Sequence, residues 1–186
     1  MIRETQKLEM RERILATTDR LFYGQGIRAI GVDTIAAKVG ISKRTLYNHF
    51  ASKDALIEAY LERRFRPNAP SDDPPVAQIL GYFDRIERGI GSRGFRGCPF
   101  VNAVAEVGSR AHPAGRIALR FKEQQRLWVR ALLERTDVRD PDQLATQIAI
   151  LVDGALASAL VRGDPGMARA AREAAVILLR NAGAMA

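Results

Sequence analysis

Gly31-Val32-Asp33-Thr34-Ile35-Ala36-Ala37-Lys38-Val39-Gly40-Ile41-Ser42-Lys43-Arg44-Thr45-Leu46-Tyr47-Asn48-His49-Phe50 is the stretch that decides how this chain reads. Ile35, Ala36 and Val39 mark a short helix, and Ser42 opens another as its cap. Two helices that cross steeply need a small residue at their contact, which Ala36 supplies. The short turn between them reaches positive φ most cheaply at a glycine, which Gly40 supplies. Ile35, Val39, Ile41, Leu46 and Phe50 then form a small shared core. Leu46 and Phe50 point inward, so the wheel of the second helix turns Arg44, Tyr47 and Asn48 outward, with Lys43 and Thr45 on its first turn. That set is rich in hydrogen-bond donors with long reach, suited to base edges and phosphates in a major groove. A plain helical hairpin with a solvated polar face has the same spacing, so the pattern by itself leaves both readings open.

Outward from this stretch the periodicity is helical nearly throughout. Ile14, Leu15, Thr18, Leu21 and Phe22 follow the rhythm of a helix burying one face, with Gly24 and Gly26 predicted to end it. Ser52 caps a fourth helix through Leu56, Tyr60 and Leu61. The proline-rich run Arg66-Pro67-Asn68-Ala69-Pro70-Ser71-Asp72-Asp73-Pro74-Pro75 is a boundary or long loop. Further helices are predicted near 75–90, 99–110, 112–136, 141–162 and 165–181, with Pro99, Pro113, Pro141 and Pro165 where a first turn tolerates a missing N–H. No alternating strand pattern or internal repeat stands out. The fold class is all-α, with about nine helices.

Composition narrows the partners. At 186 residues the chain has room for one long or two short domains, and a globule of this size buries roughly 70% of its unfolded surface without staples. The net charge of +8 leans toward the N-terminal third, where residues 1–66 carry 13 Lys and Arg against 8 Asp and Glu. A basic face attracts phosphate polyanions, although the same charge also serves solubility. Met1-Ile2-Arg3-Glu4-Thr5-Gln6-Lys7 places charges where a secretory leader needs apolar residues, and no apolar run near the length of a membrane span is expected. The single Cys98 cannot form an internal disulfide. These features lead to the expectation of a cytoplasmic protein.

An enzyme is the rival class. Gly89-Ile90-Gly91-Ser92-Arg93-Gly94 is a literal G-x-G-x-x-G, but a dinucleotide site requires it to follow a strand and open a helix. Here a helical pattern, Tyr82 to Arg88, precedes it, so it reads as a flexible interhelical loop. His49 and His112 with one cysteine make a zinc site improbable, no nucleophile sits in a recognisable motif, and no cofactor is expected. Cys98, beside Pro99, is a small hydrophobe or a redox sensor.

Residues 31–50, continued by Ser52-Lys53-Asp54-Ala55-Leu56, closely resemble the N-terminal signature of the TetR family of transcriptional regulators, over about residues 10–62. The resemblance implies a ligand-responsive, sequence-specific DNA-binding regulator, a repressor released by a small molecule and bound as a homodimer to a palindromic operator. A DNA-binding regulator without a small-molecule ligand, or a non-specific nucleic-acid-binding protein, is the alternative. Carried across position by position, Lys43, Arg44 and Tyr47 match base-reading sites, with Asn48 on the same outward face. Thr45, His49 and Lys53 match phosphate contacts, and Thr34 looks like another at its helix start. Gly31 departs from the pattern, since many relatives cap the helix there with Ser or Thr. His49 is otherwise a rim residue bonded to backbone.

The implied division is a helix-turn-helix domain at 1–52, a connecting helix at 53–66 and a ligand-binding and dimerisation domain at 67–186. On the 112–136 helix, Ile117, Phe121, Gln124, Trp128 and Ala131 form a stripe that is either core or one wall of a pocket. Phe83, Phe100 and Asn102 would complete such a pocket from neighbouring helices. Gly154, Ala155, Ala157, Ser158 and Ala159, with Leu151, Val152, Leu156 and Leu160, form a small-residue band. The alanine-rich helix from Met167 to Leu179 follows it. Small residues let helices approach closely, and the resemblance places a dimeric four-helix bundle here.

Overall fold

A computed structural model describes residues 2–69, 71–109 and 111–185, with the side chains of Ile2 and Arg3 excepted. Met1 and Pro70 of the segments above, and Arg110 at the end of the 99–110 helix, lie outside the described residues. The first helix, α1 (Ile2–Gln25), buries Ile14, Leu15, Thr18, Leu21 and Phe22 at the predicted spacing. The Thr18 hydroxyl donates to the Ile14 carbonyl at 2.9 Å, which lets a polar group sit fully buried. Gly24 does not end this helix. It lies within α1, because glycine at helical dihedrals weakens a helix without breaking it. Gly26, at φ 96°, is the terminator, and its N–H donates to the Phe22 carbonyl at 3.0 Å.

Three short helices follow: α2 (Val32–Val39), α3 (Lys43–His49) and α4 (Lys53–Arg64). Beyond the proline-rich break come α5 (Pro75–Ile90), α6 (Pro99–Val107), α7 (Pro113–Leu133), α8 (Pro141–Arg162) and α9 (Gly166–Asn181). Proline holds the first position of α5, α6, α7 and α8, where its fixed φ suits a helix start. Two helices stop short of the prediction. Gly108 at φ 74° closes α6. The Thr136 N–H and hydroxyl both fold back on the Leu133 carbonyl, which closes α7. Among the described residues there are nine helices and no strand, so the chain is all-α.

The chain divides into two compact units. The first holds α1 to α4, α6 and the start of α7 through Leu119. There α1 packs on α2 and α4, α2 on α3, and α4 on α6. Its core includes Ile35, Ala36, Val39, Leu46, Phe50, Leu56 and Leu61, with Phe22 and Tyr60 meeting edge to face at 5.7 Å. The second unit holds α5, the rest of α7, α8 and α9. Its core joins Ile79 and Phe83 of α5, Val129, Leu132 and Leu133 of α7, Ile148 and Val152 of α8, and Ala175 and Leu179 of α9.

Two expectations need correction in the second unit. Ala131 is exposed, and the buried face of α7 there runs through Gln125, Val129, Leu132 and Leu133, one position off the predicted stripe. A 3.6-residue period drifts across a helix this long, so a stripe extended by fixed steps slides off the core. The other concerns α8, which is long and apolar enough by composition to cross a membrane. Its Leu144, Ala145, Ile148, Val152, Ala155 and Ala159 are buried within the protein, while its other face is open.

Candidate nucleic-acid interface

The interface is built on the α2–turn–α3 pair. Gly31 precedes α2 in an extended conformation (φ −84°, ψ 161°) and offers no side-chain cap, as its lack of a hydroxyl dictates. At the other end Gly40 takes φ 78° and ψ 39°. Its N–H reaches the Ala37 carbonyl at 3.2 Å while the Ile41 N–H reaches Ala36 at 3.0 Å. These paired bonds satisfy the last carbonyls of α2 and turn the chain sharply, which glycine does at least cost. Ile41 is only half-buried, less central to the small core than expected, because it lies on the turn rather than on a helix.

Ser42 then starts α3. Its Oγ accepts from the Thr45 N–H at 3.0 Å and lies 2.9 Å from the Thr45 hydroxyl. A seven-residue helix has little intrinsic stability, so this cap and the packing of Leu46 hold it in place. Two contacts from α1 brace the pair. Arg13 donates to the Val39 carbonyl at 3.1 Å, at the last residue of α2. The Arg11 guanidinium stands 4.7 Å over the Phe50 ring. Neither was legible in the sequence, since each cation finds its partner far along the chain with no local motif.

Lys43, Arg44, Tyr47 and Asn48 are all exposed on α3, and Thr34 is exposed in the first turn of α2. Thr45, His49 and Lys53 are half-buried. The Lys53 ammonium lies 5.9 Å from the Phe22 ring, so its stem follows apolar surface. The His49 Nδ1 is buried with no hydrogen-bond partner among the described residues, so that nitrogen bonds none of their backbone groups. Lys43 is held by Asp33, a residue outside the predicted set, at 3.1 Å.

The residues named for a ligand pocket divide between the units. Phe83, Phe121, Gln124 and Trp128 belong to the second, whereas Phe100 and Asn102 belong to the first. In the second unit Phe83 is fully buried in the core against which Trp128 packs. Tyr82 meets Trp128 edge to face at 5.7 Å. The Gln124 side-chain oxygen is buried without a hydrogen-bond partner among the described residues. In the first unit Phe100 packs edge to face on Phe65 at 6.2 Å. A cleft of about 620 Å³ between the start of α8 and the end of α9, lined by Arg139, Gln143 and Asn181 among others, contains none of these six.

The small-residue band on α8 has two sides. Ala155 and Ala159 face inward, Ala159 in a cluster with Ile90 and Ala168. Ile150, Gly154, Ala157 and Val161 are exposed at helical spacing, with Ile150 65% and Val161 86% accessible. Ile177 of α9 is 59% exposed.

The family profile described as "Bacterial regulatory proteins, tetR family" matches residues 14–60, which span the helix-turn-helix and its supports. A solved chain from Streptomyces avermitilis classed as a TetR transcriptional regulator is 34% identical, covers 93% of this chain and 97% of its own, and superposes with a TM-score of 0.83. This chain belongs to the TetR family. A TetR-family regulator from Streptomyces coelicolor is likewise 34% identical with a TM-score of 0.83, over 94% of this chain and 96% of its own. The uncharacterized HTH-type transcriptional regulator YxaF of Bacillus subtilis is 24% identical over 190 residues, 96% of this chain and 100% of its own. As a TetR-family member the protein is a transcriptional regulator with a DNA-binding helix-turn-helix. The G-x-G-x-x-G lies outside that head, with Gly89 inside α5, so a helix rather than a strand leads into it.

Proposed function

We propose that the protein is a homodimeric repressor of the TetR family that binds a palindromic operator and is released by a small molecule. The observation that carries the reading is the exposed row Lys43, Arg44, Tyr47 and Asn48 on a helix whose start and orientation are fixed by Ser42, Gly40 and Leu46. In this reading α3 enters the major groove, with Lys43, Arg44 and Tyr47 reading base edges beside Asn48. Thr34, Thr45, His49 and Lys53 hold phosphates. With its Nδ1 buried, His49 offers Nε2 as the donor. Residues 1–52 bind DNA, 53–66 connect, and 67–186 carry ligand binding and dimerisation in a cytoplasmic protein.

The exposed Ile150, Gly154, Ala157 and Val161 row supports dimerisation through α8 and α9, because an apolar face left open on one chain is buried by a second copy. The Gln124 acceptor, without a hydrogen-bond partner among the described residues, supports an effector that brings a hydrogen-bond donor to Phe121, Gln124 and Trp128, with Phe83 of the same unit as a further candidate. The test begins with selection of bound duplexes from a random pool. Titrations of Arg44→Ala and Tyr47→Ala follow, on the selected duplex and on a shuffled one. Each substitution should cost about 1–3 kcal/mol on the selected duplex and much less on the shuffled one. Equal losses on both would remove these residues from base readout.

A further inference from the structure

We propose that Asp33 is a specificity-determining residue of the DNA head that acts by positioning Lys43. The inference rests on the reading of Lys43 as a base contact. Asp33 lies in the first turn of α2 and Lys43 is the first residue of α3, so the pair bridges the two helices across the Gly40 turn. The Asp33 Oδ2 accepts from the Lys43 Nζ at 3.1 Å, with the side chains 73% and 51% exposed respectively. An ion pair this open to water adds little to folding stability. Its position, beside Thr34 and at the entrance of α3, gives it weight when DNA is present.

Two effects of the carboxylate act on different classes of DNA. Asp33 is a fixed negative charge near the phosphate backbone, stabilised there by the N-terminal end of α2, and it repels every duplex alike. It also restricts a long side chain that otherwise loses its rotamer freedom on binding. The ammonium has three protons, and Asp33 takes one, which leaves two for acceptors such as guanine N7 and O6. Positioning helps only where a base offers acceptors at that spot. Repulsion lowers both affinities while positioning restores one, so the gap between cognate and random DNA widens.

A double-mutant cycle tests this on the full-length protein. The proteins are wild type, Asp33→Ala, Lys43→Ala and the double variant, with Asp33→Asn as an isosteric check. The probes are a duplex enriched from a random pool by the wild-type protein and a shuffled duplex of the same length and composition. Fluorescence anisotropy at matched salt should show Asp33→Ala tightening the shuffled duplex by about two- to fivefold, while affinity for the enriched duplex gains less or falls. In the Lys43→Ala background the same change should tighten both duplexes by one common factor. The melting temperature should hardly move in any variant, which separates positioning from a structural role. Equal shifts on both duplexes with Lys43 present would overturn the proposal and leave Asp33 a mere repelling charge. A Lys43→Ala protein with an unchanged ratio of enriched to shuffled affinity would overturn the underlying reading of Lys43 instead.

Discussion

Gly24 and Gly40 both stand in open space, where an added Cβ meets nothing within 4 Å. Alanine at either position therefore tests backbone conformation with no steric clash to confuse it. Gly40 sits at φ 78°, where an L side chain crowds its own carbonyl, at about 1–2 kcal/mol. Gly24 is exposed within the last turn of α1, where alanine removes freedom from the unfolded chain and gains about 0.4–1 kcal/mol. The same substitution should thus have opposite signs at two glycines sixteen positions apart in the sequence. Amide hydrogen exchange on peptides covering α1 to α3 of the full-length protein reads the effect where it occurs. Gly40→Ala should speed exchange of the slowest amides there by about 5–30-fold, and Gly24→Ala should slow them. If Gly24→Ala destabilises as much as Gly40→Ala does, then α1 ends at Gly24 and the account of both glycines is wrong.

Gly26→Ala should cost more than Gly40→Ala. Its Cβ would lie 2.9 Å from the Glu106 Oε2, which can swing aside only by giving up the Arg28 N–H it accepts from, so denaturant unfolding should register strain plus a lost hydrogen bond. Ser42→Ala removes the α3 cap and should lose about 1 kcal/mol, with the Thr45 amide losing protection first. Ala157→Arg, on the exposed side of α8, should yield a folded monomer by sedimentation with weakened operator binding, whereas a stable dimer would move the interface elsewhere. Ala159 is a poor site for that test, since an arginine there enters the buried cluster with Ile90 and Ala168. Burial pushes the Tyr60 and Tyr82 phenols well above their ordinary value near 10, Tyr60 against an opposing pull from Arg64. The folded protein then holds protons that the unfolded chain releases, so stability is full below about pH 10 and falls as pH rises beyond it. Tyr60→Phe or Tyr82→Phe should flatten that alkaline loss in pH-dependent melting, and an unchanged slope would count against burial as the cause.

Local pattern determined most of the architecture. The Ile14 to Phe22 rhythm, the caps Ser42 and Ser52, the glycine at position 40 and the prolines that open α5 to α8 each act within a turn or two of themselves. Their physics is therefore complete in the sequence. The outward row on α3 was legible for the same reason, because a helix buries Leu46 and leaves its neighbours outside. Tertiary structure decided what depends on partners far along the chain. It held Lys43 against Asp33, set Arg13 on the Val39 carbonyl and Arg11 over Phe50, and placed Phe100 and Asn102 in the first compact unit and Trp128 in the second. It also split one alanine band into an inward Ala159 and an outward Ala157. Small residues carry no mark of which face they will present. Only the packing of α5, α8 and α9 distinguishes one alanine from another, because burial belongs to the assembled unit and not to the residue.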